Sequence, residues 1–312
     1  MCACDGMPKV AWEKLEDIGN VERYYEVSHL EGDGGQGDLF AGRDRASGRK
    51  IALKVQKPLG LQPPSWFRSE GDRLVLEGHK QLLTDIEDFP EMIAIGWYRR
   101  RRCLVMEFVE GRQLRTVLMS RRPLKDVATV ASIIGQLCEI LDVIHQKELV
   151  HCDLKPENVI VEPDGKIRLI DMGHAVWRGC PTEMEHGTLG YASPAQWDPN
   201  PSGLTEHADV YALGAMLLEM TVMRLPYITE REERPLRGCP VLPPDRLTAI
   251  PPKLAPLALQ MVEWDAHRRP PNVREVFARL RSLLPTVDSC RRPVKPLRPD
   301  PTEYYRTHVP RL

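Results

Sequence analysis

Three side chains in the stretch HCDLKPENVI, residues 151–160, have the chemistry for group transfer. Asp153 is a carboxylate able to orient a hydroxyl. Lys155 is an ammonium able to neutralise a phosphate, and Asn158 is an amide whose oxygen can hold a magnesium ion. Pro156 stiffens the loop, and the apolar run Val159-Ile160-Val161 reads as a strand. The layout is that of a rigid loop feeding a sheet, with the groups that phosphoryl transfer needs. Any one of them alone would be an ordinary solvated side chain, so the reading depends on what the rest of the chain supplies.

At 312 residues the chain can bury a large core and divide into two units. Hydrophobic content of 42% and charged content of 28% are those of an ordinary globular protein. The formal net charge of −1 gives no global field for nucleic acid or an acidic membrane, so neither is expected as a partner. No apolar run is read as approaching the length of a membrane span. The first residues, MCACDGMPKV, lack the basic and then apolar order of a secretory signal. The eight cysteines are scattered, with no CxxC pair, and are read as reduced thiols of a cytoplasmic protein.

Residues 1–22 read as a leader, with a helical turn around Trp12–Ile18. Residues 24–55 then read as strand, glycine turn, strand, polar hairpin and strand, an antiparallel sheet. Gly32, Gly34 and Gly37 form a GxGxxG between two of these strands. Glycines let backbone N–H groups approach a phosphate, but on their own they fit a plain hairpin equally well. Leu39 lies just beyond them, and Ala52 and Lys54 share one face of their strand. Residues 66–79 read as a helix carrying Glu70. Strands at Met92–Tyr98 and Cys103–Val109 follow, joined by the arginine run 99–102, read as a solvated hairpin tip. Glu107–Gly111 is the candidate hinge, because everything after it is mainly helical.

Val127, Val130, Ile134, Leu137, Leu141 and Ile144 recur at helical spacing and predict a long amphipathic helix. Asn158–Val161 and Lys166–Ile170 read as short strands around the turn Pro163-Asp164-Gly165. Asp171 follows, and the span 207–222 is apolar nearly all round, as a buried helix would be. Two further helices are expected near Leu254–Glu263 and Pro271–Leu284. The Pro- and Arg-rich residues 285–312 are expected to be disordered or laid along the surface. Within them Pro293–Arg298 fits a PxxPxR polyproline ligand, although a plain linker explains so short a match as well.

Taken together, the glycine motif, IALK, HCDLKPEN, the DMG triplet Asp171-Met172-Gly173 and HADVYALGAMLLE resemble a eukaryotic-like Ser/Thr protein kinase of the bacterial kind. The resemblance runs from about Tyr24 to Leu284, with motifs in the right order. It implies an α+β, bilobal fold with an antiparallel-sheet N-terminal lobe and a mainly helical C-terminal lobe. The domains would be a leader 1–22, an N-lobe 23–110, a C-lobe 111–284 and a tail 285–312. The implied activity is transfer of the γ-phosphate of ATP, with Mg²⁺, to a protein hydroxyl. Lys54 would hold the α- and β-phosphates and pair with Glu70. Asp153 would be the catalytic base and Lys155 would stabilise the transferring phosphate. Asn158 and Asp171 would bind magnesium. Gly32, Gly34 and Gly37 would cover the phosphates, Leu39 and Ala52 would lie above the adenine, and Ile160 below it. Met106 would stand at the gate of that pocket, with Glu107, Phe108 and Val109 as the hinge. Asp209 would anchor the catalytic loop. Lys155 with Gly187-Thr188 resembles Ser/Thr rather than tyrosine kinases. The alternatives are a pseudokinase scaffold and a kinase of small molecules.

Three departures from the family pattern stand out. Met172 replaces a phenylalanine and serves as an apolar filler. Ala195 stands where a glutamate is usual, which leaves Arg269 to find water or another carboxylate. Cys152 replaces the arginine that normally binds an activation-loop phosphate, and is read as a packed neutral thiol. Loop phosphorylation is therefore expected to matter little. Thr182→Ala should retain most of the transfer rate in a kinase assay, and a large loss would contradict this.

Overall fold

A computed structural model describes residues 15–34, 37–57, 87–120, 123–181, 187–197, 202–227 and 237–312, and of 29–34 the backbone alone. Trp12, the helix expected over 66–79 with its Glu70, and Thr182 lie outside the described residues. The chain forms two compact units, one of Met1–Val109 with Asp171–Gly173, the other of Glu110–Ile170 with His174–Leu312.

The first unit is built on a six-stranded sheet. Its strands are β1 (Asp17–Asn20), β2 (Tyr25–Gly34), β3 (Gly37–Asp44), β4 (Lys50–Val55), β5 (Met92–Tyr98) and β6 (Arg101–Glu107). Their spatial order is β1-β5-β6-β4-β3-β2, and only β1 pairs in parallel, with β5. The β3–β4 turn is set by Asp44, whose Oδ1 accepts the backbone N–H groups of Ala46 and Ser47 at 2.9 and 2.7 Å. The two faces of the sheet sort by strand alternation. Ile51, Leu53, Val55, Cys103 and Val105 pack with Val21, Tyr25 and Tyr98 on one side. Ala52, Met92, Ile95, Leu104 and Met106 pack with Leu15 on the other, joined by Leu39 and Phe108.

Two expectations are corrected in this unit. The end of the supposed leader is a sheet strand rather than a helical turn, and Val21 behind it is fully buried. Gly96 permits this, since a Cβ there would lie 2.6 Å from the Gly19 carbonyl oxygen. The arginine run is not wholly a solvated tip. Arg99 and Arg100 make the turn, both at positive φ. Arg101 and Arg102 belong to β6 and pair with Asp38 at 2.6 Å and Asp17 at 2.7 Å.

The second unit is mainly helical. It contains β7 (Arg112–Gln113), α1 (Leu114–Met119), α2 (Val127–Gln146), β8 (Leu149–Val150), β9 (Val159–Val161), β10 (Ile167–Leu169) and β11 (Val176–Trp177). After these come α3 (His207–Val222), α4 (Pro244–Leu247), α5 (Ala255–Met261), α6 (Val273–Leu280) and α7 (Thr302–Thr307). β10-β9-β7 form one small antiparallel sheet, and β11-β8 another. α2 starts on Asp126, whose carboxylate accepts the Thr129 N–H at 2.8 Å. α3 is buried along nearly its whole length, as its all-round apolar sequence requires.

Helix α2 corrects the reading of the apolar runs. It is long and apolar enough to cross a membrane by length and composition, but 83% of that window is buried inside the fold. A core helix meets the same criterion. Of the two states expected for the last segment, disordered or laid along the surface, the first does not hold. Residues 302–307 are helical, Tyr305 is fully buried, and Leu297 is buried within the Pro293–Arg298 stretch.

Candidate active site

The loop 151–158 takes its shape from one buried carboxylate. Asp209, in the first turn of α3, has no exposed surface. Its Oδ2 accepts the His151 N–H at 2.9 Å and lies 2.8 Å from His145 Nε2, while Oδ1 accepts the Cys152 N–H at 2.9 Å. Burial by itself would raise this carboxyl, but the bonds and charge of His145, with His151, hold it below the ordinary carboxylate value. The stability it contributes is therefore complete above the unfolded value near 3.8 and is lost as the pH falls through the lower folded value. Cys152 sits at φ 64°, a left-handed conformation that a non-glycine residue adopts only when its surroundings hold it. Its side chain is buried beside Val150, Leu204 and Ala208, as expected of a packed thiol.

With the loop so fixed, Asp153, Lys155, Asn158 and Thr188 converge. Lys155 Nζ donates to Asp153 Oδ2 at 2.8 Å and to Thr188 Oγ1 at 2.6 Å. The Thr188 hydroxyl donates to Asp153 Oδ1 at 2.5 Å. Asn158 Nδ2 donates to the Asp153 carbonyl at 2.8 Å and to Oδ2 at 3.1 Å. These bonds occupy the amide nitrogen and leave the amide oxygen as the group that can meet a cation. Ile160 is half-buried on the face of β9 opposite the fully buried Val159 and Val161.

In the first unit Leu39, Ala52, Lys54 and Met106 lie on one face of the sheet, through the pairs Leu39–Lys54 and Ala52–Met106. Lys54 Nζ donates to Asp171 Oδ1 at 2.9 Å. The same oxygen accepts the Gly173 N–H at 2.8 Å, and Asp171 stands at φ 85°. Lys54 thus has a carboxylate partner the sequence did not point to. Gly32 and Gly34 sit opposite Leu39 and Gly37 in the β2–β3 ladder. A Cβ at Gly37 would lie 2.8 Å from the Val55 carbonyl oxygen, so close strand approach already requires that glycine. Glu107 closes β6, its carboxylate accepting the Glu91 N–H at 3.1 Å, and the chain leaves the unit after Val109.

The donor set suits magnesium, which takes one or two protein oxygens and completes its shell with phosphate and water. Asp171 in the first unit and Asn158 in the second each have side-chain oxygens of that kind. Among the described residues no group of three or more His, Cys, Asp or Glu is placed to hold a metal unaided.

The protein kinase domain family matches this chain over residues 25–278. The chain belongs to the protein kinase family. Its curated relatives include a probable serine/threonine-protein kinase of Streptomyces coelicolor, 29% identical over 69% of this chain and 32% of that protein. They also include PknB of Mycobacterium leprae, 25% identical over 87% of this chain and 44% of that protein. PknA of Mycobacterium tuberculosis is 27% identical, over 89% of this chain and 64% of that protein. The chain therefore spans about a third of the first of these relatives and less than half of the second. In this kinase domain the resemblance to the bacterial Ser/Thr type and the sheet-then-helix order both hold.

The departure at Ala195 is met in an unexpected way. Among the described residues Arg269 bonds to backbone carbonyls. It donates to the carbonyls of Glu263 at 2.7 Å, His207 at 2.9 Å and Trp264 at 3.1 Å, and its guanidinium lies 5.0 Å from the Tyr211 ring centre. Burial pulls its pKa down to about 10. Ala195 itself is exposed.

The segment 187–197 is braced elsewhere. Gln196 donates to the Cys152 carbonyl at 2.7 Å and accepts the Ser193 N–H at 2.8 Å. Arg115 on α1 donates to Glu157, to Glu219 on α3 and to the Tyr191 hydroxyl, which in turn donates to Glu219. No local pattern marks Arg115, because its partners are distant in sequence. Arg115→Ala should lower stability by about 1–3 kcal/mol, the usual scale for hydrogen bonds to charged groups. It should also speed proteolysis within 187–197. Denaturant unfolding and a cleavage time course would check both.

Proposed function

We propose that this chain is a protein serine/threonine kinase that uses Mg²⁺ and ATP and acts in the cytoplasm. The observation that carries the proposal is the contact between Asp153 and Thr188. A threonine hydroxyl rests at 2.5 Å from Asp153 Oδ1 with Lys155 Nζ 2.6 Å from the same hydroxyl oxygen. A substrate serine or threonine would make that contact in its turn. Asp153 would orient the attacking hydroxyl and receive its proton, and a base so placed is worth about 10²–10⁴-fold. Lys155, already beside that hydroxyl, would neutralise charge on the phosphate as it transfers.

Lys54 would bind the α- and β-phosphates, with Glu70 as its partner, after giving up part of its hold on Asp171. Leu39, Ala52 and Met106 present an apolar face suited to adenine, with Ile160 as its counterpart and Glu107 and Val109 offering hinge backbone groups. Gly32, Gly34 and Gly37 would follow the phosphates. Asn158 and Asp171 would hold magnesium, which when bound supplies charge neutralisation across the phosphates. The cytoplasmic location rests on cysteines that the fold buries singly as thiols, Cys103, Cys138 and Cys152 among them. Burial pushes the Cys103 thiol up to about 12, which makes it inert. A polyproline-type contact through Pro293–Arg298 would require Leu297 to leave its buried position.

The test is transfer from labelled ATP to generic protein substrates in the presence of Mg²⁺. Asp153→Asn should lower the rate by about 10²–10⁴-fold while nucleotide still binds. No transfer above that variant, with nucleotide bound, would indicate a scaffold instead. Transfer confined to small alcohols would overturn the protein-substrate assignment.

A further inference from the structure

The hairpin of β9 and β10 carries Asn158 at its base and is held at its tip by groups that the kinase motifs do not include. Gln136, buried on α2, uses both ends of its amide there. Its Oε1 accepts the Ile167 N–H at 2.8 Å, and its Nε2 donates to the carbonyls of Gly165 at 3.1 Å and Pro301 at 3.2 Å. The hairpin is three residue pairs long, and the Ile170 N–H closes its base on the Asn158 carbonyl at 2.9 Å. At about 3.3 Å per residue, tip and base lie roughly 10 Å apart, so a shift at one end is felt at the other.

Segment 298–312 completes the hold. Its Asp300 carbonyl packs on the hairpin turn so closely that a Cβ at Gly165 would lie 2.2 Å from it. The Arg298 carbonyl accepts from Arg112, on the strand that pairs with β9, at 3.0 Å. The segment is also anchored on α2. Tyr305 is fully buried against α2 and donates to Glu139 at 3.1 Å, and Glu139 also accepts the Arg311 N–H at 2.5 Å. Gly135 beside them is closely packed, since a Cβ there would lie 3.1 Å from the Tyr305 hydroxyl.

We propose that Gln136 is a positioning residue for the hairpin that bears Asn158, and that docking of segment 298–312 through Tyr305 locks it in place. Tail docking and magnesium-nucleotide binding are then thermodynamically coupled, each strengthening the other. The coupling to magnesium rests on the proposed kinase reading, whereas the lock on the hairpin does not.

Hydrogen exchange and ligand titration on the full chain test this. In Tyr305→Ala the Ile167 amide should exchange faster than in the parent, although the Tyr305 hydroxyl bonds to Glu139 on α2 and not to the hairpin. The half-saturating Mg²⁺ for binding a non-hydrolysable ATP analogue should rise by on the order of tenfold, the lower range for groups behind a metal ligand. Reciprocally, Mg²⁺ with the analogue should slow exchange of the Thr302 and Arg311 amides in the unaltered protein, which needs no variant to fold. Unchanged Ile167 exchange once the tail amides are released would overturn the lock. Unchanged tail exchange in the unaltered protein on ligand binding would overturn the coupling. If the parent protein binds no analogue, the kinase reading fails, and the Ile167 exchange alone decides whether the tail locks the hairpin.

Discussion

One buried carboxylate shapes the loop on which the chemistry depends. Asp209 accepts two successive backbone N–H groups, of His151 and Cys152, and meets His145. Both of these adjacent amides face the one carboxylate, and directly after them Cys152 turns the chain with a left-handed φ. The next residue is Asp153, so the anchor sets the direction in which the candidate base leaves the loop. α3 can supply such an anchor because it is packed on all sides and cannot yield.

Around that anchor the second unit repeats one device, a buried or half-buried side chain that ties together segments far apart in sequence. Gln196 joins the segment 187–197 to the carbonyl of Cys152. Arg115 gathers Glu157, Tyr191 and Glu219. Gln136 joins α2, the β9–β10 turn and Pro301. A buried polar group costs little only when its hydrogen-bonding groups are met, so each of these side chains also fixes the geometry of what it touches. The first unit relies instead on strand alternation, which sets Lys54 on the face that carries Leu39, Ala52 and Met106.

Much of this was legible in the sequence. The spacing of Asp153, Lys155 and Asn158 picked out a loop whose side chains converge, and alternation placed Ala52 with Lys54. The all-round apolar span 207–222 announced a buried helix. What was not legible depends on contacts across long stretches of chain. Nothing near Thr188 shows that its hydroxyl would rest on Asp153, and nothing near Arg269 shows that three carbonyls would replace a carboxylate. Residues 285–312 read as disordered or laid along the surface because proline and arginine dominate, and composition does not show that Leu297, Thr302 and Tyr305 are buried. β1 was missed for a similar reason, since a four-residue strand carries almost no periodic signal and Gly96, far along the chain, makes the room for it.

The most direct test of this account is the turnover of Asp209→Asn, with folding checked by circular dichroism and nucleotide affinity by calorimetry. An amide turns one acceptor oxygen into a donor that faces a backbone N–H, so the loop must shift. A misplacement of about 1 Å is enough to cost on the order of 100-fold in rate. The account predicts a folded protein with nucleotide affinity close to that of the parent and turnover reduced by about that factor. A folded variant that turns over at the parental rate would contradict it.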